Sequence, residues 1–295
     1  TGDENVMIGY VAGDAINTSS QNVAVGAYAL TADTKGSKSV AIGRGALNAQ
    51  NFTSATDSNN TAVGDKAGYA VTTGTNNTLV GTSAGDAMNT GTRNVAVGAG
   101  ALGVHTSGTD NVAIGSVDAA AAEVLGSNLT GGGNIAIGGG TLANYTASNS
   151  LAVGYRALKA STDGHTNIGI GNYAGDAITT GDNNIMIGYD CGSYTTNFIT
   201  GGQNVCIGHY ITAGGTADNY ANALGYNLTA HGGYTTLGKG ADDIRASHGS
   251  TTWSTVSDER YKKDIEDAKA GLSFINALKP RTFKYKTLGE LPETF

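Results

Sequence analysis

Ser257 and Lys262 lie five residues apart in the stretch SDERYKKDI, residues 257–265. Serine becomes a useful nucleophile when a neighbouring base takes its proton. Residues 257–295 contain no histidine, so Lys262 is the candidate base. At its ordinary pKa of ~10.4 a lysine is protonated and cannot act as one. Burial, or a second cation such as Lys263 or Arg260, would favour the neutral amine. From the residues alone a plainer account stands beside this one. Ser257 would then be a helix cap or turn residue, and Lys262 a solvated charge.

The setting of these residues is abrupt. Residues 1–257 carry 26 charged side chains, whereas residues 258–295 carry 15, and both prolines, Pro280 and Pro292, also fall in this last stretch. Such a change in composition predicts a domain boundary near Ser257. The formal net charge of −7 argues against a nucleic-acid partner, which wants a basic surface. No apolar run approaches the ~20 residues of a membrane helix, so membrane insertion is not expected. Cys191 and Cys206 have neither a metal spacing nor a disulfide framework and read as small buried apolar residues. Glycine is abundant, 46 of 295 residues, but not at every third position, which excludes collagen.

The glycines mark a repeat. NVMIG ends at Gly9, NVAVG at Gly26, SVAIG at Gly43, NTAVG at Gly64, and the series continues to YTTLG at Gly238. There are fourteen copies, most of them 17 residues apart, and ten have Asn four places before the Gly. A fixed period of this size predicts stacked coils. It is too short for a helical hairpin and fits a parallel β-solenoid or β-roll over 1–240. Each coil would hold a strand, a Gly turn, a second short strand and a polar Thr/Asn/Gly turn. The fixed Asn would stack amide on amide along the coils. One coil offers too little apolar area to bury itself, which points to a further buried face against other subunits. The alanine-rich runs AGDAI, GAYAL and GRGAL suggest close approach of chains about an axis.

The pattern N-x-A-[IV]-G-x-x-A resembles the head repeats of trimeric autotransporter adhesins and the repeat shafts of bacteriophage tail fibres. The resemblance implies a trimeric, all-β body. The adhesin-head period is usually shorter than the one here.

Residues 241–256 break the repeat and contain Trp253, the only tryptophan; a cap or transition segment over the last open edge is expected. Residues 267–278 then read as a helix, with Leu272, Ile275 and Leu278 at threes and Pro280 as a stop. Residues 281–286 alternate Phe283 and Tyr285 with charge, as a strand would. The order S-D-x-R-x-K-x-D-I, helix, then F-x-Y is similar to the start of the endosialidase-type intramolecular chaperone domain, a small α+β unit at the C-terminus of phage tail fibres and tailspikes. That family trimerises, templates folding of the β-structure before it and cuts itself off. The resemblance implies a catalytic dyad of Ser257 and Lys262, supported by Asp258, Arg260 and Asp264. The family's domain is longer than 257–295, so the chain is expected to stop within it.

Together these features predict a homotrimeric phage tail fibre or fibre tip in the virion, whose only chemistry is a single cut in its own chain. Its expected partners are itself, other tail or baseplate proteins and a host receptor, either a glycan or an outer-membrane protein. The alternative is a bacterial trimeric surface adhesin. A carbohydrate-degrading tailspike would need paired carboxylates in a cleft. Asp14, Asp86 and Asp176 instead share one register in AGDA turns and read as solvated. No cofactor is implied, and no Asp/Asn turn carries a full Ca²⁺ ligand set. Receptor contacts are sought in the inserts 48–59, 119–133 and 194–202 and at Tyr145, Tyr173, Tyr189, Tyr194 and Tyr220.

Overall fold

The computed structural model describes residues 2–117, 123–127 and 130–255. These are all-β, with no helix among them. The strands are β1 (Val6–Ile8), β2 (Val23–Val25), β3 (Gly36–Ser37), β4 (Val40–Ile42), β5 (Thr56–Asp57), β6 (Thr61–Val63) and β7 (Thr78–Val80). They continue as β8 (Val95–Val97), β9 (Val112–Ile114), β10 (Ile135–Ile137), β11 (Leu151–Val153), β12 (Ile168–Ile170) and β13 (Ile185–Ile187). Last come β14 (Val205–His209), β15 (Thr212–Ala213), β16 (Asn222–Tyr226), β17 (Thr229–Ala230), β18 (Tyr234–Lys239), β19 (Asp242–Ser247) and β20 (Ser254–Thr255).

One sheet runs the length of the stack in the order β1-β2-β4-β6-β7-β8-β9-β10-β11-β12-β13-β14-β16-β18-β19-β20. Every step from β1 to β18 is parallel, which makes about thirteen turns of a solenoid, as the repeat predicts. Register is strict: Val23 pairs with Val40 and Ala24 with Ala41, and Ile168 pairs with Ile185 and Gly169 with Met186. The parallel series ends at β18. Strand β19 pairs antiparallel to it, and β20 pairs antiparallel to β19.

The anticipated second strand is absent from most coils. After the Gly turn the chain takes left-handed backbone at alternate residues, as at Tyr28 and Leu30 (φ 62° and 50°) or Lys66 and Gly68 (φ 56° and 61°). An alternation of this kind cannot hold an extended strand. The wall is instead tied coil to coil by single backbone bonds, such as Leu30 N–H to Ala46 O at 2.9 Å.

The glycine that ends each strand has a steric reason. At Gly154 (φ 128°) a Cβ would fall 2.6 Å from the backbone of Gly171 in the next coil. The same contact recurs from Gly9 onward, so the column must be glycine to let successive coils stack.

Four places earlier stands the asparagine ladder, which is buried from Asn22 to Asn204. Asn94 is representative. Its Oδ1 accepts from the Asn111 backbone N–H at 3.0 Å and from Asn111 Nδ2 at 3.1 Å, and its Nδ2 donates to Gly108 O at 2.9 Å. The expected amide-on-amide stacking is therefore present, with the backbone of the next coil drawn in as well. Where serine replaces asparagine, a second side chain fills the space. Tyr145 O–H meets Ser150 Oγ at 2.8 Å, and Gln50 Nε2 donates to Ser39 Oγ at 3.1 Å.

The core holds two kinds of coil. In one, the residue four past the strand glycine is leucine, as at Leu30, Leu47, Leu102, Leu142 and Leu158, all fully buried. Three residues further on, these coils carry Asp33, Gln50, His105, Tyr145 or Ser161, also fully buried. In the other kind the leucine is replaced by Gly68, Gly85 or Gly175, and the later position becomes Val71, Met88 or Ile178. A Cβ on Gly68 would lie 2.8 Å from Leu79 and 2.9 Å from Leu47, so the neighbours already fill that space. Apolar volume thus moves between two positions while its sum is held, as close packing requires.

Ala27 of GAYAL is partly exposed, whereas Ala29 of GAYAL and Ala46 of GRGAL are buried in this core. The close approach that they permit is between the sheet and the opposite wall of one chain. An axis between chains is not what they line.

Candidate functional site

The strand pattern x-Ala-x points its middle residue inward and its flanking residues outward. Ala24, Ala41, Ala62, Leu79, Ala96, Ala113, Ala136 and Ala152 are fully buried. Their neighbours form two outward columns, Val6 to Thr235 and Ile8 to Leu237, and none of these side chains is buried. Of the twenty-eight outward positions, twenty-four are Val, Ile or Leu. Val6, Ile8 and Leu224 are about half exposed, at 47%, 59% and 53%. This is a continuous aliphatic face, far longer than the scattered apolar residues of an ordinary surface.

A second surface lies at the corner that follows the strand glycine. Tyr155 and Tyr173 meet edge to face with ring centres 5.5 Å apart, and Tyr173 and Tyr189 do so at 6.1 Å. Tyr189 continues to Tyr210 at 5.4 Å, and Tyr210 to Tyr226 at 5.9 Å. His209 stacks on Tyr226, and Tyr194 packs on Tyr210 with centres 4.6 Å apart. The Arg156 guanidinium lies 5.0 Å from the Tyr155 ring centre. The result is an aromatic ridge across five consecutive coils.

Beside the ridge is a groove of about 720 Å³, with Tyr173, Tyr189, Asp176, Asp190 and Asn197 in its wall. It adjoins a smaller cavity of about 270 Å³, and Asn144 and Lys159 line both. Burial pushes the Asp176 carboxyl above the usual carboxylate range; a hydrogen bond with Ser193 works against the rise, and the charge of Asp190 adds to it. Burial raises Asp190 as well. Asp176 is thus not the solvated turn residue that its AGDA register predicts. The coil after it folds over that register and brings Ser193 and Asp190 alongside.

The other sequence candidates divide. Tyr173, Tyr189 and Tyr194 are on the ridge, and Tyr220 is exposed. Tyr145 is fully buried, its phenol pushed up to about 12 mainly by burial, and it presents nothing to a receptor. The insert 48–59 is mixed: Asn51, Thr53, Ser54, Ala55, Asp57 and Asn59 are exposed, while three side chains anchor it inward. Gln50, Phe52 and Ser58 are buried, and Gln50 Nε2 donates to the buried Asp33 at 2.6 Å. In the insert 194–202, Phe198 is fully buried. Cys191 and Cys206 are buried free thiols, as expected; a hydrogen bond to Cys191 and burial raise the Cys206 thiol well above its ordinary value. Among the described residues no cluster of three or more His, Cys, Asp or Glu could hold a metal ion.

Asp190, Asn144, Asn197 and Lys159 were missed because they are spread over three coils, with only Asp190 and Asn197 sharing one. The recurrence of Tyr one or two places after the glycine, at Tyr155, Tyr173, Tyr189, Tyr210 and Tyr226, is the signal that marks the corner in an aligned repeat.

Ser257, Asp258, Arg260, Lys262 and Asp264 lie outside the described residues, as do the predicted helix at 267–278 and strand at 281–286. Comparison with curated proteins and with solved structures finds no match. Residues 257–294 match the model of a peptidase family described as chaperone of endosialidase, so a parallel β-solenoid here precedes a C-terminal segment similar to that chaperone.

Proposed function

We propose that the chain is the body of a homotrimeric phage tail fibre or fibre tip that attaches to a host cell. Residues 257–295 would begin its folding chaperone. The observation that carries this reading is the two-column aliphatic face, which runs the length of the stack with only Thr61, Thr78, Asn222 and Thr235 interrupting one column, and is followed by a chaperone-family segment. Seven of these aliphatic side chains are more than a third exposed and the other seventeen less, so covering an average one completes roughly a quarter of the ~1.5–3 kcal/mol of full burial. Summed over two dozen such side chains the gain is about 10–20 kcal/mol, enough to offset the ~4–15 kcal/mol cost of association. A second and third copy of the same chain match the face rung for rung, because all three share its coil spacing.

The C-terminal segment acts first in this scheme. Parallel coils with non-local contacts fold slowly and expose strand edges on the way. Registering three chains at one end removes most misaligned alternatives. Ser257 Oγ then attacks a peptide carbonyl next to itself, its proton passing by way of Lys262 to the amine that leaves as the peptide bond breaks, and water hydrolyses the resulting ester; Asp258, Arg260 and Asp264 support the motif.

Light scattering on the uncut full chain is expected to give about 89 kDa, three times the 29.6 kDa of one chain. Ile170→Asp, on the outward face of β12, is expected to give a folded monomer or a dissociated species. A wild-type monomer at micromolar concentration and neutral pH overturns the trimer.

A further inference from the structure

The groove beside the aromatic ridge has the features of a ligand site, and none of the proposed subunit interface lines it. Its walls come from the turn segments after the strand glycine; the outward Val and Ile columns contribute no residue to it. In a trimer closed on the aliphatic face it therefore remains a separate surface.

The chemistry of the groove restricts what it could hold. Tyrosines give rigid, broad faces whose negative π-cloud attracts C–H groups, and each keeps a hydroxyl for hydrogen bonding. Asp176 and Asp190 supply acceptors, while Asn144 and Asn197 supply both donors and acceptors. A ring that is apolar on its faces and hydroxylated at its rim, a pyranose, is the ligand that satisfies both sets of groups. Coils recur every ~4.7–4.9 Å, close to the length of one pyranose unit, so Tyr155, Tyr173, Tyr189, Tyr210 and Tyr226 offer a repeating track. The groove also continues into the adjoining cavity past Asn144 and Lys159, which suits a chain of sugars better than a single compact molecule. Two carboxylates against one lysine, on a chain of net charge −7, disfavour an acidic polymer.

We infer that the groove walled by Tyr173, Tyr189, Asp176, Asp190, Asn144 and Asn197 binds a neutral, hydroxyl-rich oligosaccharide, with its sugar rings packed along the tyrosine ridge. This rests on the host-attachment reading and deepens it, since it assigns the receptor contact to one wall of the solenoid and to one class of ligand.

The test uses the full chain on a printed array of neutral and acidic bacterial surface polysaccharides. Tyr189→Ala and Asp176→Asn are measured beside wild type, and light scattering is run on each. The expected result is binding to at least one neutral glycan, weakened about tenfold or more by each substitution, with the oligomer mass unchanged. Glycan binding that survives both substitutions overturns the groove assignment while leaving the attachment role in place. Binding to acidic glycans alone, or to none, overturns the ligand class. A change of oligomer mass in Tyr189→Ala overturns the inference in another way, by making the ridge a subunit contact.

Discussion

Replacing Asn94 with alanine removes one rung of the buried ladder, and its effect can be worked through atom by atom. Gly108 O loses the Asn94 Nδ2 donor but keeps the His105 ring nitrogen at 3.0 Å. Asn111 Nδ2 loses Asn94 Oδ1 but keeps Gly131 O at 2.9 Å. The Asn111 backbone N–H has no such reserve, because Asn94 Oδ1 is its partner and the site is buried. A stranded buried donor costs about 1–3 kcal/mol. Local opening around Asn111 should therefore become easier by that amount, which is about 5- to 150-fold faster exchange of the Asn111 amide. Native-state hydrogen exchange on the intact chain reads this directly. Asn94→Ser provides the internal comparison. At Ser150 a serine already fills this role, its Oγ accepting from the Asn167 N–H at 3.1 Å. The serine variant should lose about half as much protection as alanine. An Asn111 amide that exchanges at the wild-type rate in Asn94→Ala refutes the ladder argument. Equal damage from serine and alanine refutes the claim that the acceptor is what matters.

Three further outcomes are expected. On a denaturing gel, Ser257→Ala and Lys262→Arg should both remain full-length while still assembling, because folding and cutting are separate tasks; processing of Ser257→Ala at the wild-type rate defeats the self-cleavage proposal. Gly154→Ala places a Cβ 2.6 Å from the Gly171 backbone at a φ of 128°, so it should cost about 3 kcal/mol or more and lower the soluble yield sharply; wild-type yield and melting would contradict the stacking account. The raised Asp176 carboxyl means that the folded chain holds more protons than the unfolded chain between the two pKa values, so its contribution to stability falls as pH rises through that window. Asp176→Asn should accordingly melt above wild type at pH 7, with the gap closing as pH drops below the ordinary carboxylate range; a gap that is independent of pH would dismiss burial as the cause.

The architecture was legible because its constraints are local and repeated. The glycine column, the asparagine ladder and the 17-residue period all follow from one coil stacking on the next, and each coil states them again in the sequence. What stayed hidden concerns direction and distance. In Val23-Ala24-Val25 the larger side chains are the ones that face out, and the small alanine faces in. Hydrophobicity alone predicts the opposite, and only the presence of Leu30 on the far wall, with no room left beneath the sheet, explains the inversion. Tyr145 reads as a surface aromatic until Ser150 is seen to leave a gap in the ladder that its hydroxyl fills. The groove was out of reach for a different reason. Asn144, Asp176 and Asp190 become neighbours through the stacking of separate coils, and no short motif joins them. Ser257 and Lys262 show the reverse case, a motif plain in the sequence that lies outside the described residues.

The two kinds of coil have a consequence for how such a body can change in length. A leucine coil and a glycine coil differ mainly inside, yet both present an outward pair and the same glycine column to their neighbours, with asparagine or, at Ser39 and Ser150, serine four places before the glycine. The joint between coils is therefore standard, whichever kinds meet there. Duplication or loss of a single unit lengthens or shortens the rod by one step of ~4.8 Å and leaves every joint intact. Gene segments of this size become interchangeable parts, and the reach of the rod is set by counting them.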